Sequence, residues 1–297
     1  MASENVHRSW SPKDVRLGCA WVAQQAEFVR IDRDRLFDLE LADTAPPDPL
    51  PLEFAITFNA INFGSGWHPY LSKLPGQSGS VTISTRLRER FGRKGPFTAA
   101  ELTALTPDDC AAVLHQHLHP PVDELMGLYA QSLNGLGHFL LDRFDGSFRG
   151  LVEAAKSSAV TLVSLLQEMP MYRDVAIYRG REVPFLKRAQ ITASDIGTFD
   201  DLDQLTLFAD NLIPHVLRVE GVLVLDDALA RTVDAGELLE AGGQAETELR
   251  AAAVHAVERM AERTGVPARR LDHALWQIGQ QPPYKAVPRP RVRTCNY

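Results

Sequence analysis

Near the C-terminal end of the chain, the stretch RRLDHALWQIGQQ, Arg269 to Gln281, sets a carboxylate among apolar residues. On a helix, Asp272, Leu275, Trp276 and Gly279 fall at i, i+3, i+4 and i+7, on one face. Either Asp272 is an ordinary helix acid paired with Arg269, or it is a partly desolvated carboxylate kept for chemistry. A second acid, Asp210, has a similar frame in LFADNLIPHVL, with Phe208 two residues before it and Pro214 close behind. Proline disfavours helical geometry at Ile213. The pattern therefore predicts a helix end here, which would let Phe208 and Asp210 face one cavity. Helix C-termini disfavour acids, so Asp210 breaks a local rule, as residues of functional sites do.

Two further stretches carry polar groups beside apolar ones. In FLKRAQITASD, Lys187, Ile191 and Ser194 lie near one helical face, with Asp195 about 80° further round. A lysine beside an apolar strand end can serve as a Schiff-base nucleophile or a phosphate contact, although a solvated surface lysine is the commoner case. NAINFGSGW, from Asn59 to Trp67, combines amides, aromatics and two glycines. It reads either as a structural turn or as a pocket wall in which Asn62, Phe63 and Trp67 offer amide donors and aromatic faces. HQHLH would align His115, His117 and His119 on a strand, but the segment closes a helical pattern. No carboxylate pattern completes a metalloprotease motif, and neither a metal nor a cofactor is expected. GxGxxG, a Walker-type lysine and nucleophile-triad signatures are all missing.

The elements that must position these residues are mostly helical. Ser11 with Pro12 opens a helix that runs towards Val29. Thr98 with Glu101 and Thr106 with Asp109 form capping boxes. PVDELMGLYAQSLNGLGHFLLDRF and FRGLVEAAKSSAVTLVSLLQEM each read as one amphipathic helix. DVAIYRGREVPFL gives the one strand signal, a hairpin about Arg179–Gly180. Helices resume at KRAQITASDIG and AETELRAAAVHAVERMAERTG, the second closed by Gly265 and Pro267. An irregular tail follows Gln281. DTAPPDPLP is turn-rich, but nothing divides the chain. The expectation is a mainly α protein with a small β-hairpin, one domain over residues 1–297, with residues 1–10 a flexible tail.

The totals bound the function. The chain has 297 residues and a formal net charge of −7. Tight non-specific binding to duplex nucleic acid is disfavoured, because phosphate neutralisation by Lys and Arg supplies most of that affinity. Three isolated cysteines, Cys19, Cys110 and Cys295, form neither a disulfide framework nor a cysteine zinc site. With no secretory leader and no long apolar run, a cytoplasmic location without membrane contact is expected. Oligomeric state is not legible.

Together, NAINFGSGW, FRGLVEAAKSSAVTLV, MPMYRDVAIYRGREVPFLKRAQI, LTLFAD, LDHALW and the VRTCNY ending resemble the queuosine salvage family of queuosine 5′-phosphate N-glycosylase/hydrolases. The resemblance implies a helical fold similar to helix-hairpin-helix DNA glycosylases. It also implies hydrolysis of queuosine 5′-phosphate to queuine, a 7-deazaguanine base reinserted into tRNA, and ribose 5-phosphate. On this resemblance Asp272 matches the catalytic carboxylate, and Phe208 and Asp210 match base-contacting residues. The chain departs from the family pattern at Asn211, Leu212 and His215, at His273 where a tyrosine is usual, and at Gln277 where an aspartate is usual. His273 and Gln277 keep hydrogen-bonding capacity, so both stay substrate-binding candidates. Asp195, Lys187 and Arg188 are candidates for ribose or phosphate contact. Two alternatives stand beside this reading: a DNA or RNA glycosylase working through Lys187, and a non-catalytic module that binds a modified base or tRNA.

Overall fold

The computed structural model describes residues 8–39, 41, 45 and 47–297. Residues 1–7 of the expected tail, and Glu40, residues 42–44 and Pro46 around the expected linker, lie outside the described residues. Trp10, also placed in that tail, is buried; its N–H donates to Gln167 Oε1 at 2.9 Å, and Gln167 Nε2 donates back to its carbonyl at 2.8 Å.

Helices dominate, as expected, and three two-stranded sheets accompany them among the described residues. The local capping signals act as read. Ser11, Thr98 and Thr106 each accept from the backbone N–H three residues on, while Asp14, Glu101 and Asp109 reach back to the cap. The Gln244–Thr264 helix is threaded through the core, with Ala251, Ala252, Ala253, Val254, Ala256 and Val257 fully buried. Its small side chains allow close approach by the Pro12–Gln25 helix, which buries Val15, Cys19 and Val22. The Val122–Phe144 helix buries Leu125, Met126, Leu133, Leu136 and Leu140 beneath the short helices Ala99–Thr103 and Pro107–Leu114. Each such leucine contributes about 1.5–3 kcal/mol by leaving water.

The hairpin forms between Val175–Tyr178 and Arg181–Pro184, paired Val175 to Pro184 and Tyr178 to Arg181. Arg179 at φ 46° and Gly180 at φ 75° give the left-handed pair of a tight hairpin turn. Its second strand delivers the chain to Lys187, the first residue of the Lys187–Ile196 helix. That helix lies between Leu52–Ala60 and Ala159–Leu166.

Three expectations need correction. The segment from Phe148 to Met169 is two helices, Phe148–Ala154 and Ala159–Leu166. Lys156 and Ser157 take positive φ, and Ser158 caps the second helix by accepting from Thr161 N–H. The run of two serines that would only weaken a continuous helix starts a new one here. Second, Pro214 does not end a helix. Residues 205–210 form neither helix nor strand, and a helix begins at Leu212, with Pro214 in its first turn, where a missing N–H costs nothing. Third, the hairpin has company: Val29–Ile31 pairs with Leu223–Leu225, and Leu238–Leu239 runs parallel to Arg291–Val292. These strands of two or three residues show no alternation, and their partners are remote.

Among the described residues, no helix is long and apolar enough to cross a membrane.

Candidate active site

The Ala268–Gly279 helix packs on the Leu212–Val219 and Gln244–Thr264 helices and buries Leu271, Asp272, Ala274, Leu275 and Gly279. The face read from the sequence is the buried face, but Trp276 stays 37% exposed. Gly279 explains how the last turn seats. A Cβ there would lie 2.9 Å from both Leu212 Cδ1 and Val216 Cγ2, so any side chain would push the two helices apart.

Asp272 opens into a cavity of about 490 Å3. Its other walls are the loop with Phe208 and Asp210, the helix with Lys187, Ile191, Ser194 and Asp195, and the turn with Asn62, Phe63 and His68. The Gly79–Lys94 helix adds Ser80, Ser84 and Arg88, and the tail adds Arg289 and Tyr297. Pieces more than two hundred residues apart thus meet at one concavity.

Asp272 is 8% exposed, and its Oδ1 accepts the Phe208 backbone N–H at 3.1 Å. Burial pushes its carboxyl well above the usual carboxylate range, and the charge of nearby Asp210 adds to the rise. The Phe208 N–H and the Lys187 ammonium act in the opposite direction.

Asp210 sits at the start of the Leu212–Val219 helix, and its Oδ1 accepts from the N–H groups of Leu212 and Ile213 at 2.7 and 3.1 Å. An acid is favoured at that end of a helix. The conflict read from the sequence therefore came from taking the helix to end where it begins. Oδ2 has no protein hydrogen bond among the described residues and is left for the cavity.

Lys187 is not a surface lysine. It is 4% exposed and donates from Nζ to the Asn62 carbonyl at 2.9 Å. Burial depresses its pKa to about 8, while Asp210, Asp272 and Asp195 hold the ammonium in place. Asp195 is pushed up to about 6 by burial, although Asn59 Nδ2 donates to its Oδ2 at 2.8 Å. Asn62 Nδ2 in turn donates to Asn59 Oδ1 at 2.9 Å. One ammonium thus stands among three carboxylates, and burial and mutual charge shift Lys187, Asp195 and Asp272 together. Such a set can stabilise a developing cation, hold a proton near neutrality and orient a water.

Not every expected residue faces this space. Trp67 is buried away from it and donates from Nε1 to Glu124 at 2.9 Å. Gln277 is exposed and lies 2.8 Å from His273 Nε2 through its own Nε2, so it meets the cavity only through His273, which does line it. Arg188 turns to the core, donating to Ala60 and Met171 carbonyls. The three histidines of HQHLH do not align: the Pro107–Leu114 helix ends and His115 takes φ 53°. No group of three potential metal ligands occurs among the described residues.

Arg289 and His68 have no signal in the sequence, and Tyr297 enters it only as the end of the VRTCNY stretch. Arg289 is pulled in by the tail; burial lowers its pKa and Asp210 opposes that. His68 is driven to about 3 by burial, then by the charges of Arg289 and Lys73, and so stays neutral. Tyr297 is buried, and its carbonyl accepts from Gly64 N–H at 2.9 Å. That tail passes so close to Gly66 that a Cβ there would lie 2.4 Å from the Val292 carbonyl oxygen.

The chain is similar in sequence to known proteins. The family described as queuosine salvage protein matches residues 49–297. A queuosine 5′-phosphate N-glycosylase/hydrolase of Sphaerobacter thermophilus is 32% identical over 93% of this chain and 95% of that protein. Proteins of the same name from Bos taurus and Mus musculus are 31% and 32% identical, over 74% and 56% of this chain and 72% and 56% of their own lengths. The chain, with its buried Asp272 facing the cavity, belongs to the queuosine salvage protein family.

Proposed function

We propose that the chain hydrolyses the N-glycosidic bond of queuosine 5′-phosphate, releasing queuine and ribose 5-phosphate. The observation that carries this reading is a desolvated carboxylate, Asp272, facing a cavity of nucleotide size in a member of this family. Departure of the base builds positive charge on the ribose, in an oxocarbenium-like transition state. Asp272, ionised and close to C1′, stabilises that charge strongly because little water screens it, and it orients the attacking water. A 7-deaza base has carbon in place of N7, so protonation there cannot activate it. More of the barrier must then be lowered by the carboxylate and by contacts to the base.

In this reading Phe208 stacks on the base and Asp210 Oδ2 accepts its N1–H and 2-amino donors. A buried edge of this kind rejects bases that lack those donors. Asn62, Phe63 and His273 complete the base and ribose walls. Lys187 and Asp195 hold the proton balance around Asp272. The 5′-phosphate is assigned to the cationic end, where Arg289 and Lys73 flank His68 beside the start of the Gly79–Lys94 helix. Exposed backbone N–H groups at a helix start favour anions.

The test is direct. Incubation with queuosine 5′-phosphate, followed by mass spectrometry of the free base, should show release of queuine. Asp272→Asn should lower turnover by about 10³-fold; undiminished turnover would remove Asp272 from the chemistry. A second reading has one observation behind it: the lysine with its pKa near 8 has the lowered basicity a Schiff-base nucleophile needs. Borohydride trapping on an abasic oligonucleotide would reveal that lyase.

The reading also includes an arrangement of helices similar to that of helix-hairpin-helix DNA glycosylases, one catalytic unit over residues 1–297, no duplex nucleic acid as substrate, and a cytoplasmic location. Superposition on such a glycosylase, a duplex-binding titration and cell fractionation test these points.

A further inference from the structure

Behind the cavity wall lies a charged cluster that the proposed chemistry leaves unused. Arg250, in the Gln244–Thr264 helix, carries a fully buried guanidinium. Its Nη1 and Nη2 donate to Asp174 Oδ1 and Oδ2 at 2.9 and 2.6 Å. Its Nε donates to the Ala209 carbonyl at 3.0 Å. The same Asp174 Oδ2 accepts the Lys187 backbone N–H at 3.0 Å. The rings of Phe185 and Tyr297 stand 4.0 and 4.6 Å from the guanidinium carbon.

This pair touches both walls of the cavity. Ala209 lies between Phe208, whose N–H holds Asp272, and Asp210. On the other side, Leu186 turns the chain into Lys187 at φ 55°, a left-handed conformation that leucine rarely takes. That turn needs outside support, and Asp174 supplies it through its side chain to Lys187 and its carbonyl to Phe185 N–H at 2.8 Å.

We propose that Asp174 and Arg250 are positioning residues for the glycosidic cleavage. They fix the Phe208–Asp210 loop relative to Lys187, and through the Phe208 N–H they hold Asp272 in line with the sugar carbon. The proposal rests on the reaction proposed above. An arginine is required because its rigid fork serves Asp174 and Ala209 together. A lysine reaches Asp174 as a point charge and leaves Ala209 without a donor.

Arg250→Lys, with Asp174→Asn as a second variant, tests this. Two readouts are needed: kcat and KM on queuosine 5′-phosphate, and the carboxyl 13C titration of Asp272 in the unliganded protein. The charged and titratable groups facing the cavity that Asp272 lines are Lys187 and Asp195 from their helix, Asp210 from the loop, Arg269 and His273 from its own helix, His68 from the turn, Arg88 from the Gly79–Lys94 helix, and Arg289 and Tyr297 from the tail. Neither variant changes any of them. The expected result is a kcat about 100-fold lower, the size of effect a misplacement near 1 Å produces, with KM little changed. The Asp272 titration should move to higher pH as its Phe208 donor drifts away. Leu136→Ala, a core truncation in the Val122–Phe144 helix, serves as the control for lost stability and should move neither readout. An Asp272 titration unmoved in both variants overturns the positioning role. Failure of the unmodified chain to release queuine overturns the reaction instead, and the titration then decides on positioning by itself.

Discussion

Two buried charge clusters lie back to back in this protein, and they are finished differently. In the first, Asp174 and Arg250 saturate one another: both carboxylate oxygens and the guanidinium fork are paired. In the second, Asp272 and Asp210 each use one oxygen for backbone N–H groups, and Lys187 has a carbonyl but no carboxylate within bonding distance among the described residues. Glu246 stands 3.5 Å from Arg250 Nη1 as a second buried acid, and this first cluster lies off the cavity. The second is open, and its shifted pKa values record the cost of leaving it open. A buried charge without full compensation persists where a ligand completes it.

Substitution can break this contrast. The largest effect is expected for Asp272→Asn. Turnover falls about 10³-fold, yet the folded protein gains about 1 kcal/mol near neutral pH, as functional-site substitutions often do. The sign follows from a carboxyl whose pKa is raised by folding. Above its folded value it destabilises the native state in full; the deficit shrinks as pH falls below the folded value and is gone below the unfolded one. Thermal melts at pH 7 check it, and a lower Tm would erase the distinction. In the first cluster the sign reverses. Asp174→Ala leaves the buried Arg250 charge with only Glu246, 3.5 Å away, among the described residues, and should cost about 3–5 kcal/mol in denaturant unfolding.

Next in size is the pH dependence. With Lys187 at about 8, kcat/KM should decline above that pH as the ammonium is lost. Lys187→Arg should remove the decline up to pH 10, whatever it does to the maximum. Asp210→Asn should weaken queuine binding by roughly tenfold or more, since a lost partner to a donor pair costs about 1–3 kcal/mol. It should barely alter stability, because asparagine also satisfies N–H groups at a helix start. Calorimetric titration with queuine measures the first and a melt the second. The smallest effect belongs to Gln277→Ala: an exposed residue whose side chain meets only His273 among the described residues should leave kcat/KM within about twofold, as surface positions do.

What the sequence disclosed was local. The capping boxes at Thr98 and Thr106 were legible because cap and partner are three residues apart. The hairpin was legible because its turn residues sit between its strands. Asp272 stood out because its helix face could be built from one short stretch. Asp210 breaks a local rule only if a helix ends beside it, and its surroundings alone reveal that a helix begins there. Lys187 looked solvated because nothing within ten residues of it announces that Asn62 will cover it. Arg289, His68, Tyr297 and the link between Asp174 and Arg250 join segments far apart in the chain, and such pairings are written only in three dimensions. Trp67 misled for the converse reason: it neighbours Asn62 and Phe63 in sequence but turns its indole to Glu124.

The absent side chain at Gly279 has a consequence for how this scaffold can change. Asp272 rides on one of two helices clamped together at that residue, and Asp210 is bonded to the first N–H groups of the other, like the arms of a caliper locked at the pivot. Widening the gap between the acids would mean unlocking the core, whereas trimming Ser84 or Arg88 on the opposite wall enlarges the chamber and leaves the caliper alone. New substrates should therefore be sought by rebuilding that far wall, with the acid spacing inherited unchanged.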